Sequence, residues 1–503
     1  MDALIPHLPV LLVIVPLFGG LLASLMPRRG VAPWGWALGV TGFELFLALA
    51  MVRQIRLAPR ETITYYMGWW PAEYGIAYEI DALNAYVILV VALLAFVSTV
   101  YARHSVDDEI PKDRHNFFYS VWLLAISGMV GICATGETFN IYVLLEISSL
   151  TVYTLIALGK YRDRRALTAS LKYLILGSIG ATFILLGIGY LLMLTGTLNM
   201  QDMHQQLLAM KAEGALENNR TVLVGFAFLT VGLGLKMAMW PLHLWLPNAY
   251  TFAPSAVSAL VASTATKVGV YMGFRFIFTL FGAVYDSSTN LALMTACGTL
   301  GIIVSSIRAA QANNVKRILA YSSVGQLGYI VVGFSLANEA GVAASVIHIL
   351  NHAVIKGAMF MACGAVVLRV GSSDLKSFQG LGRKMPATMA AFTVGGLGLI
   401  GMPLTAGFIS KFYLVSGALL DGQWWLALVI LAGSLISIVY VWRVVETIYF
   451  KEPDPSVRVR EAPFTMLIAM WILASASVIL GVDAELTGRL AEYAAKVLLG
   501  GAP

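Results

Sequence analysis

Four ionisable side chains stand deep inside apolar runs. They are Glu146 in FNIYVLLEISSLTVYTL, Lys236 in LKMAMWPLHLWLP, Lys267 in VSALVASTATKVGVYMGF and Lys411 in GLIGMPLTAGFISKF. A charge near the centre of a bilayer costs at least about 2.5 to 3.5 kcal/mol, so it persists only where it faces protein, water or a charge of opposite sign. Desolvation loosens an ammonium's hold on its proton and a neighbouring carboxylate tightens it. A Glu146–Lys236 pair that closes and opens would therefore bind and release a proton without any redox group. Pro241 follows Lys236 and Pro403 precedes Lys411, so each lysine is expected beside a helix break whose freed backbone groups line a cavity.

A second pattern is His348, His352 and Lys356 at i, i+4 and i+8 in HILNHAVIKGAMF, with Asn351 beside them. This spacing places the three on one helix face, and imidazole both donates and accepts protons, so the stripe is expected to relay them. His243, next to Pro241, is a further relay candidate. The histidine pair lacks a nearby carboxylate, and metal binding is not expected of it.

The elements that must position these residues are membrane helices. The chain has 503 residues, 59% hydrophobic and 12% charged, with mean hydropathy +0.80, whereas a soluble domain carries about 25% charged residues. Apolar runs long enough to cross a hydrocarbon core of about 30 Å fall at 8–26, 32–52, 82–101, 116–135, 138–158, 169–195, 222–252, 254–281, 291–310, 318–337, 340–368, 387–419, 423–449 and 463–481. The expected fold class is an all-α integral membrane protein of about fourteen transmembrane helices. The first run lacks a basic leader and a small-residue cleavage site, so it is expected to be a retained helix. Cys133, Cys297 and Cys363 lie far apart inside spans and form no metal or cluster motif; no cofactor is expected.

Alternating the runs from an outside N-terminus places nineteen of the 33 Lys and Arg in inside segments and seven in outside segments. That asymmetry predicts both termini outside the cytoplasm. Seven more fall within runs, among them Lys172, Arg275 and Arg443, which lie nearer the ends of their spans and are expected to be structural. No basic cluster asks for nucleic acid.

From about residue 78 to 450 the chain resembles the antiporter-like subunits shared by respiratory complex I and the multisubunit Mrp cation/proton antiporters. The resemblance rests on KMAMWPLHLWLPNAYTFAPSAVSAL, KVGVY, NNVKRILAYSSVGQLGY, HAVIKGAMF and GMPLTAGFISKF, in that order. It implies two inverted five-helix repeats, each with a broken helix. It also implies that Glu146 and Lys236 form the charge pair of a first half-channel, that Lys267 connects this to the centre, that Lys411 ends the second, and that His348 lies between. Lys411 is similar to both the Mrp D-type and the complex I N-type subunit, and the segment GYLLMLTGTLNMQDM and the length are most similar to the D-type. Asn314 departs from the acidic residue the family often has there.

The expected organisation is one membrane domain: N-terminal helices over 1–115, repeats over 116–285 and 286–450, and a C-terminal helix and tail over 451–503. The first functional reading is a proton-conducting subunit of an Mrp-type cation/proton antiporter in a bacterial inner membrane, partnered by other membrane subunits and the lipid bilayer. The alternatives are the pumping subunit of a redox complex, such as complex I or a membrane-bound hydrogenase, and a subunit that energises uptake of inorganic carbon.

Overall fold

The computed structural model describes residues 2–28, 31–57, 62–216, 219–282, 288–453 and 459–500. In chain order the elements are α1 (Leu8–Ser24), α2 (Ala32–Leu57), the antiparallel strands β1 (Ile63–Tyr66) and β2 (Ala77–Ile80), α3 (Ala82–Glu109), α4 (His115–Ala134), α5 (Thr138–Ala157), α6 (Arg165–Thr195), α7 (Met200–Ala212), α8 (Arg220–Lys236), α9 (Leu246–Phe252), α10 (Ser255–Ser263) and α11 (Ala265–Phe274). A π-helical segment, Arg275–Phe281, continues α11. Then come α12 (Ser288–Gln311), α13 (Val315–Ser335), α14 (Glu339–Val370), α15 (Leu381–Lys384), α16 (Pro386–Ile400), α17 (Ala406–Leu420), α18 (Trp424–Tyr449), α19 (Phe464–Val482) and α20 (Glu485–Leu498).

Among the described residues, twelve helices are long and apolar enough to cross a membrane. The two remaining expected runs, 222–252 and 387–419, are each split, into α8 with α9 and α16 with α17. The chain is thus an all-α multi-pass membrane protein. Its burial pattern is that of a protein dissolved in lipid: Phe18, Leu49, Leu171, Leu435 and Trp442 are exposed, while Lys267, Lys356, His352 and Gln326 are buried. Polar groups have gone inward because only protein can satisfy them there.

Five crossings run from α4 to the π-helical segment, with α8/α9 as the broken fourth. Five more run from α12 to α18, with α16/α17 as the broken fourth. Five is odd, so the second set begins on the opposite face from the first. Accordingly α4 ends beside the hairpin, where Thr135 bridges Tyr78, and α12 starts near it, Leu291 sharing a cavity with Glu79 and Asp81. The N-terminal turn also lies on the hairpin face, His7 meeting Tyr65 at 5.8 Å between ring centroids. The C-terminal α20 lies there too and lines the same cavity.

Local chemistry explains the helix starts. Asp81 accepts from Leu83 and Asn84 to begin α3, and Glu137 accepts from Phe139 and Asn140 to begin α5. Asn199, Asn219, Asn314 and Asn338 do the same for α7, α8, α13 and α14, each satisfying amides that have no partner inside the helix.

Candidate functional site

Both broken helices contain a non-glycine residue in the left-handed backbone region, Ala238 (φ 57°) after α8 and Leu404 (φ 67°) before α17. Such a conformation costs about 1 to 3 kcal/mol and is held only when the surroundings over-determine it. The breaks place the two lysines differently. Lys236 is the last residue of α8, before its break, whereas Lys411 lies in α17, after its own.

Lys236 is half-buried. Its Nζ donates to Ser149 Oγ on α5 at 2.9 Å, and Ser149 is one helical turn from Glu146. The Glu146 carboxylate is therefore carried on the same helix as the ammonium's partner, yet no ion pair joins Glu146 and Lys236 among the described residues. The pairing expected from sequence therefore stands as closely placed charges with a serine between helices. The carbonyl freed just before Lys236, that of Leu235, accepts from Trp245 Nε1 at 2.9 Å. His243 is buried close by, and its Nδ1 has no partner among the described residues.

Lys411 is buried in a cage of neutral acceptors. Its Nζ donates to the carbonyls of Leu399 (3.2 Å) and Ile400 (2.8 Å) and to Ser434 Oγ (3.0 Å). It also lies 4.8 Å from the centroid of the Tyr329 ring. The two carbonyls are the orphaned C-terminal acceptors of α16, where the helix dipole favours a cation. Gly401 closes that helix at φ 88°, and a β-carbon there would come within 3.0 Å of Lys411 Cδ, so the close approach of the ammonium requires glycine.

Between the lysines runs the histidine stripe of α14. His348 Nδ1 meets Ser410 Oγ at 2.8 Å and His348 Nε2 meets Gln326 Oε1 at 2.9 Å. A hydrogen-bonded chain thus runs from Ser410 on α17 through His348 to Gln326 on α13; Ser410 precedes Lys411 in sequence, while the Lys411 ammonium bonds Leu399, Ile400 and Ser434. His348 and His352 stack with centroids 6.0 Å apart and planes 15° apart. Both ring nitrogens of the buried His352 lack partners among the described residues, a place for water. Lys356 donates to the Leu319 carbonyl at 2.9 Å and to Ser322 Oγ.

Lys267 is fully buried, and its Nζ donates to the carbonyl of Ala262. That carbonyl is free because the expected span 254–281 is interrupted at Thr264, whose φ of −123° ends α10. Ser263 and Thr264 hydroxyls bond back to Ala259 and Leu260 carbonyls, and such back-bonding competes with the helical ladder. The helix that carries Lys267 also lies close to the first lysine's backbone: a β-carbon on Gly269 would come to 3.0 Å from Met237 Cα and 3.2 Å from the Lys236 carbonyl carbon. Glycine there lets α11 touch the end of α8.

The comparisons with known proteins bear on this arrangement. The family described as NADH:quinone oxidoreductase/Mrp antiporter, transmembrane, matches residues 135–437, the stretch that carries all eight residues above. The chain belongs to this family. It is 38% identical to the N-type subunit of the NADH-quinone oxidoreductase of Desulforudis audaxviator over 97% of this chain and 98% of that one. To the D-type subunit of the Na(+)/H(+) antiporter of Bacillus subtilis it is 27% identical, over 97% of each. Its fold resembles a chain of the membrane-bound sulfane sulfur reductase, an archaeal respiratory membrane complex, with TM-score 0.89 and 30% identity over 98% and 97% of the two chains. The identity to the N-type relative is thus higher than to the D-type relative, and the preference for the D-type expected from the segment GYLLMLTGTLNMQDM and the length finds no support in it.

The antiporter-family departure at Asn314 has a structural account. Its side chain accepts from Arg317 N while its amide donates to Ser373 Oγ (2.8 Å) and Asp374 Oδ1 (3.0 Å). A carboxylate could cap α13 but could not donate to Asp374. Of the basic residues expected to be structural, Arg275 pairs with Asp81 at 2.6 Å and Arg443 holds the carbonyls of Ala310 and Ala312. Lys172 is exposed.

Three charged residues escaped the sequence reading. Glu109 accepts from the Ser255 amide with both oxygens (3.0 and 3.1 Å) and so caps α10 from another helix. Lys316, outside the expected run 318–337, is buried and donates to the Ala253 carbonyl at 3.1 Å. Glu44, in the middle of α2, is fully buried with neither carboxyl oxygen partnered among the described residues. A lone acid within GVTGFELFLALAM was the available signal.

Proposed function

We propose that this chain conducts protons as one subunit of a multisubunit energy-coupling membrane complex. The observation that carries the reading is the Ser410–His348–Gln326 arrangement beside the buried Lys411: an imidazole bonded on both nitrogens, one of them to the hydroxyl of the residue that precedes an ammonium at a helix break. The hydroxyl and the imidazole of that chain each both donate and accept. Residues 116–285 and 286–450 are the two half-channels. In the first, Glu146 and Lys236 bind and release the proton, with His243 beside the break. Lys267, Lys356, His352 and His348 pass it across the centre, and Lys411 delivers it in the second.

Two drivers fit a chain of this family. The redox-linked reading comes first, since the 38% identical relative, matched end to end, is the N-type subunit of an NADH-quinone oxidoreductase. A cation/proton antiporter is the second reading, supported by end-to-end similarity to the D-type subunit of an Na(+)/H(+) antiporter. In either, the partners are other membrane subunits, the chain carries out no electron transfer, and the basic loops face the cytoplasm of a bacterial inner membrane, with both termini outside.

The test is proton flux in the assembled complex carrying Lys236→Ala, Lys411→Ala or Glu146→Ala. Full flux in all three, with assembly verified, would overturn the reading. Native purification from its own membranes with mass spectrometry of every co-purifying subunit separates the drivers. Iron–sulfur or quinone-site subunits mark the first; small hydrophobic antiporter subunits mark the second.

A further inference from the structure

A cavity of about 720 Å³ lies at the hairpin face, away from the Lys411 half-channel. Its polar wall comprises Glu79, Asp81, Asn84, Tyr271, Arg275 and Thr279, and α20 forms part of its opposite side. At the inner end these groups are tied together. The buried Arg275 donates through Nη2 to Asp81 Oδ1 (2.6 Å) and to Asn84 Oδ1, through Nε to the Tyr271 hydroxyl (3.1 Å) and through Nη1 to Thr279 Oγ1 (3.3 Å). Asn84 Nδ2 donates to the same hydroxyl at 2.9 Å and to the Cys133 carbonyl at 2.7 Å. The Tyr271 hydroxyl in turn donates to the Cys133 carbonyl at 3.1 Å.

This knot joins α3, α4 and α11 between the cavity and the membrane centre. Lys267, Tyr271 and Arg275 are spaced i, i+4 and i+8, so they climb one face of α11 from the central axis to the cavity floor. The helix turns π-helical from Arg275 onward, a geometry that recurs where helices must move. A change of those turns to α-helical would rotate the guanidinium off Asp81.

We propose that the cavity is a water-filled vestibule giving Lys267 a proton-exchange route to the hairpin face, closed by a gate of Tyr271, Asn84, Arg275 and Asp81. With the gate open, a water beside Lys267 takes one ammonium proton, leaving the neutral amine, and cavity water carries it off as hydronium. What passes rests on the proton-conducting reading above; the existence of the route does not, and the experiment addresses the route alone.

The assembled complex is prepared in membranes with Cys133, Cys297 and Cys363 replaced by alanine, Cys133 contributing only its backbone carbonyl to the gate. Single cysteines are placed at Thr279 in the vestibule, at Lys160 on the opposite face as a sidedness marker, and at Lys267. An impermeant trimethylammonium methanethiosulfonate should modify Thr279→Cys only from the side opposite Lys160→Cys. Silver ion, added from the vestibule side, should leave Lys267→Cys nearly unreacted while the gate is intact. Asp81→Asn keeps the α3 cap, since asparagine caps as well as aspartate, but releases Arg275. With it, the silver reaction of Lys267→Cys should rise at least about tenfold, equivalent to about 1.4 kcal/mol and so to one or two lost hydrogen bonds. Tyr271→Phe is the second gate variant, and Thr279→Cys modification in that background reports that the fold is intact. The proposal is overturned if Thr279→Cys is inert from both sides or reacts from the Lys160 side. It is equally overturned if Lys267→Cys stays inert in both gate variants while Thr279→Cys reacts.

Discussion

The two broken helices solve the same problem, a lysine ammonium at membrane depth, by opposite means. Lys236 ends its helix with one hydroxyl partner, Ser149, which sits one turn along α5 from the carboxylate of Glu146. Lys411 is enclosed by two backbone carbonyls, Ser434 and the face of Tyr329, and no acidic residue pairs with it among the described residues. The first arrangement depends on a movable charge, so its proton affinity changes when α5 shifts. The second depends on fixed dipoles and changes only through the groups that cage it, chiefly Ser434 and Tyr329. One half is built to respond and the other to hold.

The largest effects should come from removing the ammoniums themselves. Lys236→Ala and Lys411→Ala should each lower proton flux by about a hundredfold, the scale of a lost general acid–base group, as measured with a pH-sensitive dye in proteoliposomes. The comparison sharpens in stability. Lys411→Ala strands the Leu399 and Ile400 carbonyls, at about 1 to 3 kcal/mol for each buried group left unpaired, whereas Lys236→Ala strands only a serine hydroxyl. Thermal unfolding of the purified complex should therefore show the larger loss for Lys411→Ala, and a larger loss for Lys236→Ala would contradict the cage.

A smaller effect is expected where the movable charge is neutralised. Glu146→Gln should reduce flux by about tenfold, equivalent to about 1.4 kcal/mol of lost coupling, with assembly retained on a native gel. Unchanged flux would mean that Lys236 does not need its carboxylate. The finest contrast is between the two serines. Ser149→Ala removes the one hydrogen bond that the Lys236 ammonium makes among the described residues, and about 1 kcal/mol should slow flux about fivefold. Ser434→Ala leaves two carbonyls on Lys411 and should change flux less than about twofold. A reversed order, read in the same dye assay, would erase the distinction between the halves.

Much of this was legible in the sequence because lipid leaves few choices. Composition fixed the solvent, run lengths fixed the crossings, and Pro241 and Pro403 marked both breaks because proline cannot complete the helical ladder. The His348–His352–Lys356 stripe was readable from spacing, and the stacked imidazoles agree with it. The break at Thr264 was not readable in the same way, since no proline or glycine marks it and only serine and threonine hydroxyls compete for the carbonyls. Partners across the fold were also hidden. That Glu109 caps α10, that Gln326 meets His348 and that Lys316 reaches Ala253 depend on helices distant in sequence. Periodicity gives a helix its buried face but not the residue it will meet there.

The claim that both halves serve one path turns on His348, which reaches Ser410 on one side and Gln326 on the other. In the assembled complex carrying His348→Ala, dye-reported proton uptake on the Lys236 side should persist within a single turnover while steady transmembrane flux falls by about a hundredfold. Steady flux equal to that of the unaltered complex, with assembly verified, would show that protons do not pass between the two lysines by this route.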